Sequence, residues 1–278
     1  MATIQELRKH LRSIRSIEEL SGAMRTAATV KYSRLNRTRT AFEPYADACA
    51  DMLRLLGAPP HAEHVNKGKR RDCLVVLSGN RGLCGGFNTE LLRFLEQELA
   101  KREAPLLLVS GRSAANWLRE RSIPFEDFPE SDVPTYEQLR PMSERMQKAY
   151  AAGECSRVLV IYQHFHNMMI QKPEALQLLP VERPKESEAA QGPNRTLLYF
   201  PDYETVAQQL LQSCLDARLY ALALEDASGA QAATMLSMRS AFDNAETAAG
   251  KLEVTINRRR QADITSDVIE TASGAQGE

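Results

Sequence analysis

One stretch of the chain carries the residue types that phosphate chemistry uses. It is Ser78-Gly79-Asn80-Arg81-Gly82-Leu83-Cys84-Gly85-Gly86-Phe87-Asn88, lying between an apolar run and a helical pattern. A glycine-rich turn ahead of a helix can offer backbone N–H groups to an anion. The spacing is neither G-x-G-x-x-G nor the G-K-[ST] whose lysine reaches β- and γ-phosphates, so a turn needing glycine backbone angles, or a partner-facing loop, is the stronger reading. His164 and His166 lie two apart and share one face of a strand, half of a metal site, but no Cys or carboxylate follows at ligand spacing. His61 and His64 flank Glu63 without forming H-E-x-x-H. No G-x-S-x-G elbow occurs, and Cys84, at a helix start where thiolates are stabilised, has no assignable base. No catalytic residue, metal or cofactor is therefore expected, and no direct nucleotide binding.

The elements that would position such residues come next. The 278 residues, 43% hydrophobic and 26% charged, fit one large or two ordinary globular domains. No apolar run approaches the roughly 20 residues that span a bilayer. The first residues, Met-Ala-Thr-Ile-Gln-Glu, have no apolar signal core, and no transit peptide is expected. Five cysteines without a C-x-x-C pair read as buried thiols of a reducing compartment. Thirty-five basic against 36 acidic residues argue against a polyanion or nucleic-acid binder. The balance is uneven, because residues 4–40 hold nine Lys and Arg against three Glu.

The last proline is Pro201, and the C-terminal segment beyond it has the clearest periodicity. Leu210, Ala217, Leu224, Gln231, Met238, Ala245 and Leu252 recur every seven residues. Cys214, Ala221, Ser228, Met235, Phe242, Ala249 and Ile256 follow four residues behind. Two such columns make a coiled-coil seam, its alanines asking for a close partner helix and its Ser228, Gly229 and Gln231 marking a weakened polar belt. The N-terminal segment answers with Ile4, Leu7, Leu11 and Ile14, then Ile17, Leu20, Met24 and Ala27, then Ala28, Leu35, Phe42, Cys49 and Leu56. Pro44 falls inside this pattern and predicts a kink or break just before it. At about 1.5 Å per residue the two helices would run roughly 80 and 100 Å, too long to be buried along their length by an ordinary domain.

Between them, strands are predicted at 73–78, 106–110, 123–128 and 157–165, with short ones at 176–181 and 196–200. Helices at 89–102, 112–121 and 135–152 alternate with them, the βαβ order of a mostly parallel sheet. Polar loops are predicted at 61–71 and 182–195. The expected organisation is an N-terminal helix at 1–60, a central α/β domain at 70–200 and a C-terminal helix at 203–278. The fold class is thus α/β: a long antiparallel coiled coil of the terminal helices plus a central Rossmann-like, mostly parallel sheet. Basic clusters at Arg34, Arg37 and Arg39, and at Arg258, Arg259 and Arg260, on helices too long to bury, read as a rod offered to an acidic partner.

Four patches together resemble the gamma subunit of the F-type ATP synthase, the central rotor shaft. Residues 78–88 resemble its Arg-Gly-Leu-Cys-Gly-Gly signature followed by Asn. Asn257-Arg258-Arg259-Arg260-Gln261-Ala262-Asp263-Ile264-Thr265 resembles its C-terminal Asn-x-x-Arg-Gln-Ala-x-Ile-Thr run, with Gly274-Ala275 beyond. Residues 11–31 with Pro44-Tyr45-Ala46 are similar to its N-terminal helix, and residues 167–180 to its Gln-x-Pro and Leu-Leu-Pro stretch.

The resemblance implies a shaft inserted through a hexamer of alternating alpha and beta subunits, with the α/β domain as a foot on the membrane c-ring beside the epsilon subunit. By position match, Arg260, Gln261 and Thr265 would meet the beta loops that grip the upper shaft, and Met24 would lie beside the beta lever. Arg258 and Arg259, just ahead of the matched positions, are expected to join Arg260 and Gln261 in one contact band. Arg81, Gly82, Leu83, Cys84, Gly85 and Gly86 would form a loop of the foot. The chain would then sit peripherally on the cytoplasmic side of a bacterial inner membrane, with nucleotides bound elsewhere. It departs from the family at Ile17-Glu18-Glu19-Leu20-Ser21-Gly22, where the family is basic, and at Asn80, Gly229-Ala230 and Ile256. The alternative from another class is a free-standing α/β phosphate- or nucleotide-binding enzyme with helical dimerisation arms, built on the 79–86 loop.

Overall fold

The structure is a computed structural model that describes residues 3–56, 71–129, 131–181, 200 and 202–274. The element order is α1 (Ile4–Leu56), β1 (Arg71–Leu77), α2 (Phe87–Ala100), β2 (Leu106–Ser110), α3 (Arg112–Glu120), β3 (Glu126–Asp127), α4 (Tyr136–Ala151), β4 (Cys155–Phe165), β5 (Gln171–Leu179) and α5 (Tyr203–Gly274). The long N- and C-terminal helices pack against each other, and the chain between them forms a mostly parallel mixed sheet. The chain forms two compact units, Thr29–Ala233, and Met1–Ala28 with Thr234–Glu278, so each long helix contributes to both.

In the larger unit the sheet order is β3-β2-β1-β4-β5. β3, β2, β1 and β4 run parallel, and β5 returns antiparallel on β4. The central strands are buried on both faces, as parallel strands with helical crossovers must be. One face, with Cys73, Val75, Leu108, Val158 and Val160, is covered by Met142 and Met146 of α4, Leu35 of α1, and Leu215, Leu219 and Leu222 of α5. The other, with Leu74, Val76, Val109 and Ile161, is covered by Leu91 and Leu95 of α2 and Leu118 of α3.

The predicted third strand contracts to Glu126–Asp127, and the one predicted at 176–181 begins at Gln171. Residues 196–199 of the sixth predicted strand, and residues 61–70 and 182–195 of the polar loops, lie outside the described residues. Pro44 does not break α1, which continues to Leu56. Packing on both sides holds the helix there: Phe42 stands edge-on to Tyr220 at 4.8 Å, and Cys49 is buried against Cys214. That burial offsets the one intrahelical hydrogen bond a proline removes.

The polar belt in the C-terminal seam is a docking point rather than a weakness. Gly229 is buried, and a Cβ there would stand 3.0 Å from the Phe87 ring, so the glycine lets the start of α2 close on α5. Ser228 satisfies its hydroxyl on the Leu224 carbonyl at 2.6 Å. Buried Asp226 accepts from the Gln163 backbone at 2.9 Å, tying the sheet to the same turn.

In the smaller unit the seam has a different register on the N-terminal side. Ile4, Leu7, Leu11, Ile14, Glu18, Ser21, Arg25 and Ala28 turn inward, alternating steps of three and four. Ile17 and Leu20 are 54% and 60% exposed, and Ala27 is exposed too. The seam closes on small residues. Ser21 and Ala28 are buried, and the Phe242 ring lies 3.4 Å from where a Cβ on Gly22 would be, with the Arg25 guanidinium 5.2 Å over it. On α5, Met238, Ala245, Ala249 and Ile256 are buried, whereas Leu252 is half-buried. An Arg15–Glu253 ion pair borders this packing.

Candidate interaction surface

The 78–88 loop is organised by its own side chains. Asn88 accepts from the Gly79 N–H at 3.1 Å and donates to the Arg81 carbonyl at 3.0 Å and to the Cys84 sulfur at 3.2 Å. A Cβ on Gly79 would come 2.8 Å from Asn88 Oδ1, so glycine is needed for this close approach. Gly85 has φ of 59°, the left-handed region, and is followed by α2 with Gly86 as its N-cap. Cys84 points inward at 5% exposure, and burial foremost pushes its thiol up from the usual range, the reverse of an activated nucleophile. Leu83, at φ of 65° and 58% exposed, is the apolar side chain the loop presents outward, beside the exposed Arg81.

Sequence reasoning missed Gly111, which makes this corner. At φ of 98° a Cβ there would fall 1.9 Å from the Ser78 carbonyl oxygen. Ser78 in turn caps α3, accepting from the Ala114 N–H at 3.1 Å, and Asn80 accepts from the Arg112 N–H at 3.2 Å. The signal was a lone glycine between a strand and a helix pattern, and its purpose depends on a contact 33 residues away in sequence. An open hollow of about 390 Å³ lies beside it, lined by Asn80, Arg81, Arg112, Ser131, Asp132 and Val133. Its acid is already neutralised, since Asp132 takes Arg81 at 2.8 Å and Lys31 at 2.5 Å.

His164 and His166 do come together, their rings 4.5 Å apart. A carboxylate arrives from α5, with Glu225 2.6 Å from His164 Nδ1, a partner invisible to local spacing. Glu225 also accepts from the Phe165 N–H at 2.8 Å, so it fastens β4 to α5. Among the described residues no group of three or more His, Cys, Asp or Glu is arranged to hold a metal. His61 and His64 lie outside them.

In the smaller unit Arg258, Arg259, Arg260, Gln261 and Thr265 are all exposed, directly after the buried Ile256. Arg259 is 3.6 Å from Asp263 one turn on, and the Thr265 hydroxyl donates to the Gln261 carbonyl. Ile264 and Val268 are 52% and 62% exposed on the same stretch. Met24 is half-buried, in line with the outward Ile17, Leu20 and Ala27 at heptad spacing. That row is apolar yet faces away from this chain's own seam, the pattern of a helix with a further partner.

Three comparisons bear on what this surface belongs to. The family model described as ATP synthase matches residues 3–277. The ATP synthase gamma chain of Granulibacter bethesdensis is 32% identical over 99% of both chains, and that of Desulforamulus reducens is 30% identical over 99% of both. The chain belongs to the ATP synthase gamma-chain family. Its fold is also that of a chain in the cryo-EM structure of the Euglena gracilis mitochondrial ATP synthase, with a TM-score of 0.70 at 16% identity over 99% of this chain and 94% of that one. The gamma-chain relatives span the whole length described, both helices and the sheet domain together. Among the described residues no helix is long and apolar enough to cross a membrane.

Proposed function

We propose that this gamma-family chain is the central rotor shaft of an F-type ATP synthase. Its terminal helices are turned inside the ring of alternating alpha and beta subunits, and its sheet domain stands as a foot on the membrane c-ring beside the epsilon subunit. The observation that carries the reading is the pairing of a small-residue seam with an outward apolar row on the same helix. Ala28, Ser21, Ala245 and Ala249 hold the two helices close, while Ile17, Leu20 and Met24 face an encircling partner. Rotation of such an asymmetric body presents a different side to each beta subunit in turn, coupling ion flow through the ring to the opening and closing of catalytic sites elsewhere. The chain contributes no reacting group, and its 78–88 loop serves turn geometry and a partner surface. Its place is peripheral, on the cytoplasmic side of a bacterial inner membrane. Full-length gamma-chain relatives disfavour the free-standing enzyme.

Arg258, Arg259, Arg260 and Gln261 are a contact band. Guanidinium groups within one helical turn present planar forks of donors to carboxylates, and shielding by a partner makes those contacts resistant to salt. The test is ATP hydrolysis and ion pumping by assembled complexes. Arg260→Ala with Gln261→Ala is expected to alter turnover or coupling far more than Arg34→Ala with Arg37→Ala, two exposed positions on α1. Arg39 is not a fair control, because its guanidinium lies 5.7 Å over the Phe165 ring. Equal, parental behaviour of both double variants would show the band to be a solvated face.

A further inference from the structure

All five cysteines are buried and reduced, and two of them meet between the long helices. Cys49 of α1 and Cys214 of α5, each 6% exposed, form with Ala217 a small cluster edged by Phe42 and Leu210, apart from the two sheet cores. The Cys214 sulfur stands 3.0 Å from the Cys49 carbonyl oxygen, and the two thiols hydrogen-bond each other. The two sulfurs thus meet across the two helices, the approach that a disulfide between them requires. We propose that Cys49 and Cys214 are a redox-modification site, converted by an oxidant of the hydroperoxide class into an intrachain disulfide that clamps the last turns of α1 to α5.

Tyr45, one turn before Cys49, hydrogen-bonds its thiol and is 49% exposed; the two thiols are equally buried, and Cys49 is assigned the first step for its contact with this half-exposed ring. In the first step the deprotonated Cys49 sulfur attacks the hydroperoxide. The O–O bond breaks, an alcohol or water leaves, and Cys49 becomes a sulfenic acid. In the second the Cys214 sulfur attacks Cys49 Sγ, the S–O bond breaks, and hydroxide departs with the second thiol proton as water. Two thiols and one hydroperoxide thus give one disulfide, one alcohol (or water) and one water. The hydroperoxide takes up both electrons.

The other cysteines are poorer candidates. Cys73 and Cys155 also hydrogen-bond each other, but at 0% and 1% exposure they lie within the sheet core, held by strand pairing. Cys84 is held in its loop by Asn88 and Arg81. Burial, foremost, pushes the Cys214 thiol up to about 12, so closure of the disulfide is slow at neutral pH and accelerates as pH rises toward that value. The clamp would join positions 165 residues apart, a loop that contains the whole sheet domain, and such a link raises the thermal midpoint chiefly by restricting the unfolded chain.

The test treats the full chain with hydrogen peroxide, alkylates the remaining thiols in denaturant and maps peptides without reduction. One linked pair carrying Cys49 and Cys214 is expected, formed faster at alkaline than at neutral pH. A rise in the thermal midpoint should accompany it and be reversed by a dithiol reductant. Cys49→Ala and Cys214→Ala should each remove both the link and the rise while retaining the parent's helical circular dichroism. Absence of the link in the parent map, a Cys73–Cys155 or interchain link in its place, or a midpoint rise that survives in both variants would overturn the proposal.

Discussion

At the residue scale two glycines divide cleanly. Gly111 stands at φ of 98° against the Ser78 carbonyl, so Gly111→Ala is expected to cost more than about 2 kcal/mol, through strain and the loss of the α3 cap. Gly82 has open space where a Cβ would go, so Gly82→Ala should fall within about 0.5 kcal/mol of the parent. Urea unfolding followed by Trp117 fluorescence on α3 reads both. A second expectation concerns pH. Burial, foremost, pushes the Glu98 carboxyl up, but hydrogen bonds from Lys101 at 2.6 Å and Arg102 outweigh it and hold the group below its usual range. A depressed carboxylate stabilises above its unfolded pKa of about 4.3 and loses that contribution as pH falls through the lower folded value. Acid unfolding of Glu98→Gln should therefore be less steep in pH below about 4 than that of the parent; an unchanged slope would assign the acid sensitivity to other carboxylates. The loop glycines were legible because their spacing is local. The need for Gly111, and Asn88's work as the loop's filler, were not, since each depends on a neighbour brought in by the fold.

At the element scale the heptads located both long helices but misplaced one register. Between Ile14 and Ala28 two rows satisfy the same spacing, Ile17-Leu20-Met24-Ala27 and Glu18-Ser21-Arg25-Ala28, and apolarity favoured the first. The structure buries part of the second because Ser21 and Gly22 leave room for Phe242, and a close backbone approach outweighs the greasier row. Two outcomes follow. Met238→Ala, at a fully enclosed site, should cost about 2 to 4 kcal/mol, and Leu252→Ala, half-buried, clearly less. Losses below about 0.5 kcal/mol at both would deny a packed seam. Ile17→Ser with Leu20→Ser should leave the chain's own unfolding midpoint almost unmoved yet weaken its assembly with the alpha and beta subunits. A large loss of stability in the chain alone would return that row to the seam.

At the scale of the whole molecule the architecture was legible because its signals are long: seven-residue columns at both ends and a βαβ alternation between them. What stayed hidden was tertiary. α5 is half coiled-coil partner and half core helix, and Leu215, Leu219 and Leu222 cover a sheet face that no periodic reading assigns to them. Isothermal calorimetry on the purified chain is expected to show no specific ATP or ADP binding, and micromolar affinity would revive the enzyme reading. The most direct measurement is reconstitution: the chain is mixed with F-type ATP synthase alpha and beta subunits from the same organism, and the assembled particle is purified and assayed. The account expects one copy of this chain to co-purify with the hexamer and to support ATP hydrolysis that collapses when the chain is shortened before Ile256. Hexamers that form and turn over equally well without it, or a chain that purifies only as its own dimer, would contradict the account.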